Sequence, residues 1–168
     1  MWLLFIMDVF NEVMRESLVG EYTHSSVLEV LQGLSHDQAI ENPIANSNSS
    51  YEILFHMIIW QDTFLKNIRD EFADWGETNR IANDEIKEEV KKILPNKNWE
   101  QLVNDFKQGF KEADNLLETV DLKKQMKTFR DKPILQMYCI LNQHNSYHMG
   151  QIVKNRVAQG TWPLKKFQ

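Results

Sequence analysis

Apolar residues recur three and four apart along four long stretches of the chain, the spacing that gathers them on one face of an α-helix. From about residue 8 to 34 the set is Phe10, Met14, Leu18, Tyr22, Val27, Val30, Leu31 and Leu34. Gly20 falls inside this stretch, so one bent helix and two shorter ones both fit it. Ser35-x-x-Gln38 then reads as a capping box for a short helical turn, and residues 42–50, NPIANSNSS, as a loop. The second stretch opens on another capping box, Ser49-x-x-Glu52, and runs to about Arg69. Its segment Ile53-Leu54-Phe55-His56-Met57-Ile58-Ile59-Trp60 is apolar almost all round, as expected of a helix touched on several sides inside a bundle.

A polar crossover follows over residues 70–97, around Gly76 and Pro95, in which Asn83 or Asp84 is expected to cap a short helix ending near Leu94. The third stretch starts at Asn98 and runs to about Val120, with Leu102, Val103, Phe106, Phe110, Ala113, Leu117 and Val120 as its stripe. A lysine-rich link, 121–132, leads to the fourth. That stretch begins around Pro133, a residue favoured in a first turn, and runs to about Gln159, where Gly160 supplies the stop. With only 6 glycines, 4 prolines and little strand-like alternation, the pattern predicts an all-α four-helix bundle with a long crossover between helices 2 and 3. It is expected to form a single domain over residues 1–168, with 1–16 as an N-terminal extension of the first helix region.

The opening MWLLFIM is apolar throughout, too short to span a bilayer, and preceded by no Lys or Arg, so it lacks the charged region of a signal peptide. A start at Met1 and a start at Met7 both stay open. Hydrophobic residues at 42% and charged residues at 26% fit a soluble globular chain. The net charge of −5, with lysines such as Lys87, Lys91, Lys92, Lys123, Lys124 and Lys127 interleaved with Glu and Asp, argues against a basic nucleic-acid-binding face. Neither nucleic acid nor a membrane is an expected partner. The single cysteine, Cys139, excludes an internal disulfide and a multi-cysteine zinc site, and fits a cytoplasmic location.

The candidate chemistry lies in the histidines. In Gln143-His144-Asn145-Ser146-Tyr147-His148-Met149-Gly150-Gln151, two of the chain's 5 histidines stand four apart, one turn of helix, on roughly the face shared by Ile140, Leu141 and Ile152. Two imidazoles turned into a core each bring a donor and an acceptor that need partners. H-x3-H presents two nitrogens to one cation, though many helices carry it by chance. The metalloprotease version needs Glu after the first His, where this chain has Asn145. His56 is a lone polar side chain in the most apolar helix. If the second and fourth helices are neighbours, His56, His144 and His148 converge and leave an open position on a divalent ion. A pair of hydrogen-bonded core histidines is the plain alternative. His36, just past Ser35, is expected to be exposed, and His24 is left out of the site.

At these residues the sequence resembles the DinB/YfiT-like superfamily of metalloenzymes, over about residues 17–163. Ile53-Leu54-Phe55-His56 is similar to the family's first metal histidine in an I-L-x-H setting, and His144 through Ile152 to its H-x3-H-x-G-Q-I motif. Where the family often has Trp-Ser before the first-histidine helix, a region that shapes the pocket mouth, this chain has Ser49-Ser50-Tyr51. The resemblance implies a three-histidine site for a divalent ion, commonly zinc or nickel, and frequent homodimers. It also implies transferase or hydrolase chemistry on a small-molecule substrate, with low-molecular-weight thiols such as bacillithiol among the family's co-substrates.

A cation at such a site makes a nucleophile of water or thiol at neutral pH. Cys139, five residues before His144 and so about 500° round the helix, is expected to point away from the ligands and to sit in the core. Gln151, three residues after His148, is a candidate for supporting that ligand but cannot titrate. Tyr147 is about 100° from His148 on the helix, and Tyr22 and Asp62 enter only if the fold brings them in. No side chain is assigned as catalytic base. A metal-binding stress-response or interaction protein without turnover is the alternative function. The aromatics Trp60, Phe64, Phe106 and Phe110 are expected in the core.

Overall fold

Four helices start on a reciprocal capping box: Ser26 with Glu29, Ser35 with Gln38, Ser49 with Glu52 and Asn98 with Gln101. In each, the N-cap oxygen accepts the N–H three residues on, and the side chain there accepts the N-cap N–H. The computed structural model describes residues 12–16 and 25–162. Residues 12–16 are helical. Then follow α1 (Val27–Leu31), α2 (His36–Ile40), α3 (Ser50–Ile68), α4 (Trp75–Asn79), a π-helical turn (Arg80–Asp84), α5 (Ile86–Ile93) and α6 (Trp99–Leu117). A two-stranded hairpin of β1 (Gln125–Met126) and β2 (Lys132–Pro133), with a 3-10 turn (Lys127–Phe129) between its strands, leads to α7 (Ile134–Ala158).

The all-α expectation holds. The long helices α3, α6 and α7 form the bundle, with α3 packed against both of the others. The segment 12–16 joins them through Met14, buried, and through Arg15, whose guanidinium donates to Asp114 and Glu118 of α6. No described helix is long and apolar enough to cross a membrane.

Four details differ from the sequence reading. The break that the sequence reading allowed at Gly20 is found at Ser25–Ser26, which are not helical, and after α1 the chain turns at Gly33, whose φ of +77° suits a residue without a side chain. Gly20, Tyr22 and His24 lie outside the described residues. Neither Asn83 nor Asp84 caps the crossover helix. Both are absorbed into the π turn, and α5 starts from Glu85 with no side-chain cap. His36 is half-buried rather than exposed, and its Nδ1 accepts the backbone N–H of Trp99 at the start of α6. The hairpin in the lysine-rich link was not foreseen.

The core has two lobes. One gathers α1, α2, the first half of α3, α5, the start of α6 and the second half of α7 around Tyr51, Leu54, Met57, Phe106 and Ile152. The other gathers the second half of α3, the end of α6, the start of α7 and Met126 around Phe64, Leu117, Ile134 and Tyr138. Gln61 of α3 and Asn145 of α7, both 2% exposed, fall in sequence between the residues that the two helices give to each lobe.

Gly109 lets α6 approach α3 at this level. Gln61 Nε2 donates to the Phe106 carbonyl, and a Cβ on Gly109 would lie 2.0 Å from that nitrogen and 3.1 Å from Cδ. Gly109→Ala therefore lowers stability by about 1–3 kcal/mol through overpacking. This opposes a helix-propensity gain of at most about 1 kcal/mol. Thermal unfolding checks it, and adding Gln61→Ala should make the Gly109→Ala change less harmful.

Candidate metal centre

His56 projects from the middle of α3, and His144 and His148 from the middle of α7. One imidazole nitrogen from each lies within 4.8 Å of the other two. His56 Nε2 and His144 Nε2 are 2.9 Å apart, and the His148 ring centroid is 4.4 Å from each of the other rings. Tetrahedral zinc with Zn–N near 2.0–2.1 Å needs nitrogens about 3.3 Å apart. The cluster brackets that spacing.

Hydrogen bonds to the far nitrogens decide which atoms are left to bind. The His56 Nδ1–H donates to the Ala82 carbonyl at 2.9 Å, a carbonyl of the π turn. The His148 Nδ1–H donates to Gln151 Oε1 at 2.8 Å. Each bond fixes the tautomer and leaves Nε2 with a bare lone pair. With His56 Nε2 an acceptor, the short contact to His144 requires a proton on His144 Nε2, and His144 Nδ1 is then a buried acceptor with no hydrogen-bond partner. A cation in place of that proton takes all three Nε2 lone pairs at once.

The rings are also held neutral. Burial, then the charges of His148 and His56, push His144 down to about 3. Burial pushes His148 down to about 4, against the Gln151 hydrogen bond, and lowers His56 against the Ala82 carbonyl. Near neutral pH none of the rings carries a second proton, so a cation competes only for the one that His144 Nε2 shares with His56. Gln151→Ala removes the acceptor behind one ligand but no ligand. It should weaken divalent-metal affinity about 10–100-fold, measured by competition with a chelating dye. Gln151→Glu, which keeps an acceptor, should recover most of the loss.

Beside His144 lies a cavity of about 170 Å³. From α3 it is walled by Trp60 and Phe64, and from α7 by Met137, Ile140 and Leu141. Trp75 of α4 and Phe129 of the 3-10 turn complete it. The crossover and the hairpin are anchored where these two rings need them. The Thr63 hydroxyl donates to that of Thr78 at 2.7 Å, Asn67 donates to the Thr63 and Ala73 carbonyls, and Thr128 donates to Asn67. Centroids of 5.7 Å for Trp60–Trp75, 4.9 Å for Trp75–Phe129 and 5.6 Å for Trp60–His144 make a continuous aromatic wall reaching a candidate ligand.

The other candidates stay outside. Asp62 is exposed and paired with Lys66, and Tyr147 is 66% exposed with its ring against the edge of His148. Cys139 points away from the ligands as expected, but it is exposed and not in the core. Phe64 and Phe106 are core residues and Phe110 is half-buried against both lobes, but Trp60 is half-buried, belongs to neither lobe and lines the cavity, as Phe64 also does. Tyr51, in the stretch that departs from the family pattern, is buried and donates its hydroxyl to the Lys97 carbonyl, away from the cavity lining. Sequence reasoning missed Ala82, which acts through its backbone. It also missed Trp75 and Phe129, whose signal is a bulky aromatic alone in a polar stretch.

No curated protein and no solved structure gives a significant match to the chain. A sequence profile of the DinB superfamily matches residues 21–152, from before α1 to just past the second histidine of α7. That span carries the three-histidine cluster, and together the two fit a metal-binding protein. The chain belongs to the DinB superfamily.

Proposed function

We propose that the protein is a divalent-metal-dependent enzyme, with zinc or nickel at His56, His144 and His148, that transfers a small electrophile to a low-molecular-weight thiol of the bacillithiol type. The observation that supports this most is the convergence of three neutral imidazoles at the end of an open cavity, since a closed structural site has no reason to adjoin one. A bound ion supplies a Lewis acid that keeps a thiol deprotonated at neutral pH. The sulfur forms its bond to carbon as the bond to the leaving group breaks, and the leaving group departs with that electron pair. The thiol proton goes to solvent, because His144 is the only titratable side chain among the cavity walls. The chain's own part is to fix the three rings, through Ala82 and Gln151, and to keep the reacting carbon against a dry wall.

Elemental analysis of untagged protein, followed by turnover of a benzyl halide with thiol present, tests the proposal. About one ion per chain is expected, with turnover lost on chelation and restored by zinc or nickel. Full metal occupancy with no turnover across thiols and electrophiles would leave the non-catalytic metal-binding reading. Absence of metal would sink both.

A further inference from the structure

We infer that the electrophile is an uncharged molecule built on a single apolar ring, seated between Trp60, Trp75 and Ile140 with its reactive carbon toward His144. The inference rests on the metal-centred reading for what happens at that carbon, but the seat itself is read from the cavity. Three observations carry it. The first is size: about 170 Å³ is close to the roughly 150 Å³ of an apolar protein cavity that takes up benzene. The second is polarity: among the described residues the walls carry no charged side chain, and their polar groups are the His144 imidazole and the indole N–H groups of Trp60 and Trp75, the latter engaged with Thr128. In the metal-free cavity a carboxylate or ammonium gives up its hydration with no opposite charge in return, which is costly for an ion and mild for a ring. The third is shape. Trp60 and Trp75, with centroids 5.7 Å apart, and Phe129, 4.9 Å from Trp75, offer faces and edges to a flat aromatic guest.

The two ends of the cavity give the guest a direction. Met137 lies about two turns of α7 before His144, and Ile140 and Leu141 lie between them on the same side. A ring held against Ile140 and Leu141 therefore has one edge at the imidazole and the opposite edge toward Phe64 and Met137. A single short substituent on the ring is the part that meets the three histidines. Fit selects for a benzyl-like electrophile over one that is charged or polar at the buried end.

The full-length protein, chelated and then loaded with zinc, is titrated with toluene and with benzoate by ligand-observed NMR, and its metal content is measured on the same samples. Toluene should bind both forms, and benzoate should bind the chelated form at least about tenfold more weakly than toluene does. Ile140→Trp, which fills the seat, should weaken toluene by at least about tenfold. Trp75→Ala, which widens it, should raise the preference for naphthalene over toluene by a similar factor. The inference is overturned if toluene fails to bind wild-type protein, if benzoate binds the chelated form as well as toluene does, or if a folded Ile140→Trp variant binds toluene unchanged. Should that variant not fold, an unchanged naphthalene preference in Trp75→Ala overturns it equally. Toluene binding by a protein that takes up no metal would leave the seat standing and remove the metal-centred function. Full metal content without toluene binding does the reverse.

Discussion

His144→Ala should empty the metal site while leaving the bundle folded. In wild-type protein a divalent ion at about a hundred times its dissociation constant adds about 2.7 kcal/mol to stability. That corresponds to a rise in melting temperature of about 5–10 °C for a chain of this size. The variant should show no rise. Its metal content should fall from about one ion per chain to a small fraction, because losing a ligand costs more than the roughly 10–100-fold that follows from losing the group behind one. Helical content by circular dichroism should not change, since alanine is the strongest helix former and position 144 lies mid-helix in α7. The chelated variant should melt close to chelated wild-type protein. His144 makes its short hydrogen bond to His56 only, and burial already disfavours its charge. Retention of stoichiometric metal by this variant would show that the cluster is not the binding site. His36→Ala serves as the contrast. It should leave metal content alone and cost a few tenths to about 1 kcal/mol, because that imidazole accepts a backbone N–H at the start of α6.

Arg156→Ala should produce the largest loss of stability in the described structure. Arg156 is 4% exposed, and burial lowers its pKa. Its partners are carbonyls: Glu29 and Val30 at the end of α1, and Thr161 just beyond α7. Its guanidinium also lies over the Trp162 ring, 4.9 Å from the centroid. The last carbonyls of a helix have no partner within it, so one side chain of α7 completes the C-terminus of α1. Each buried carbonyl left without a donor costs about 1–3 kcal/mol, and the loss of the aliphatic stem adds to that. A total near 3–4 kcal/mol lowers the melting temperature by roughly 6–16 °C. Arg156→Met separates the contributions, because it restores packing but no donor. It should recover less than half of the loss. A melting temperature unchanged in Arg156→Ala would mean that α1 does not depend on this anchor.

The sequence made some of this plain and hid the rest for physical reasons. The three histidines were legible because helix geometry is local: a spacing of four fixes that His144 and His148 share a face, and the apolar surroundings of His56 fix that it turns inward. The same arithmetic turned Cys139 away from the ligands correctly but could not say what it would meet there. Among the described residues Cys139 is exposed. His36 was misjudged because its partner, the Trp99 N–H, is 63 residues away. Capping boxes at Ser35 and Ser49 are readable three residues at a time, and the one at Ser26 has the same form but lies inside an apolar stretch whose visible breaker is Gly20. The crossover was the least legible part, since its turns answer to tertiary contacts and not to a stripe.

One ligand owes its orientation to a chain length. The acceptor for His56 is a main-chain oxygen, so no point substitution at position 82 deletes it, and its placement depends on the five-residue π turn from Arg80 to Asp84. Removing a single residue there tightens the turn to an ordinary helical one and rotates the oxygen by about 100°. His56 then has no reason to keep its proton on Nδ1, and the nitrogen facing the other two rings becomes a donor instead of a lone pair. The number of residues before α5, more than their identity, therefore decides whether this histidine is held ready.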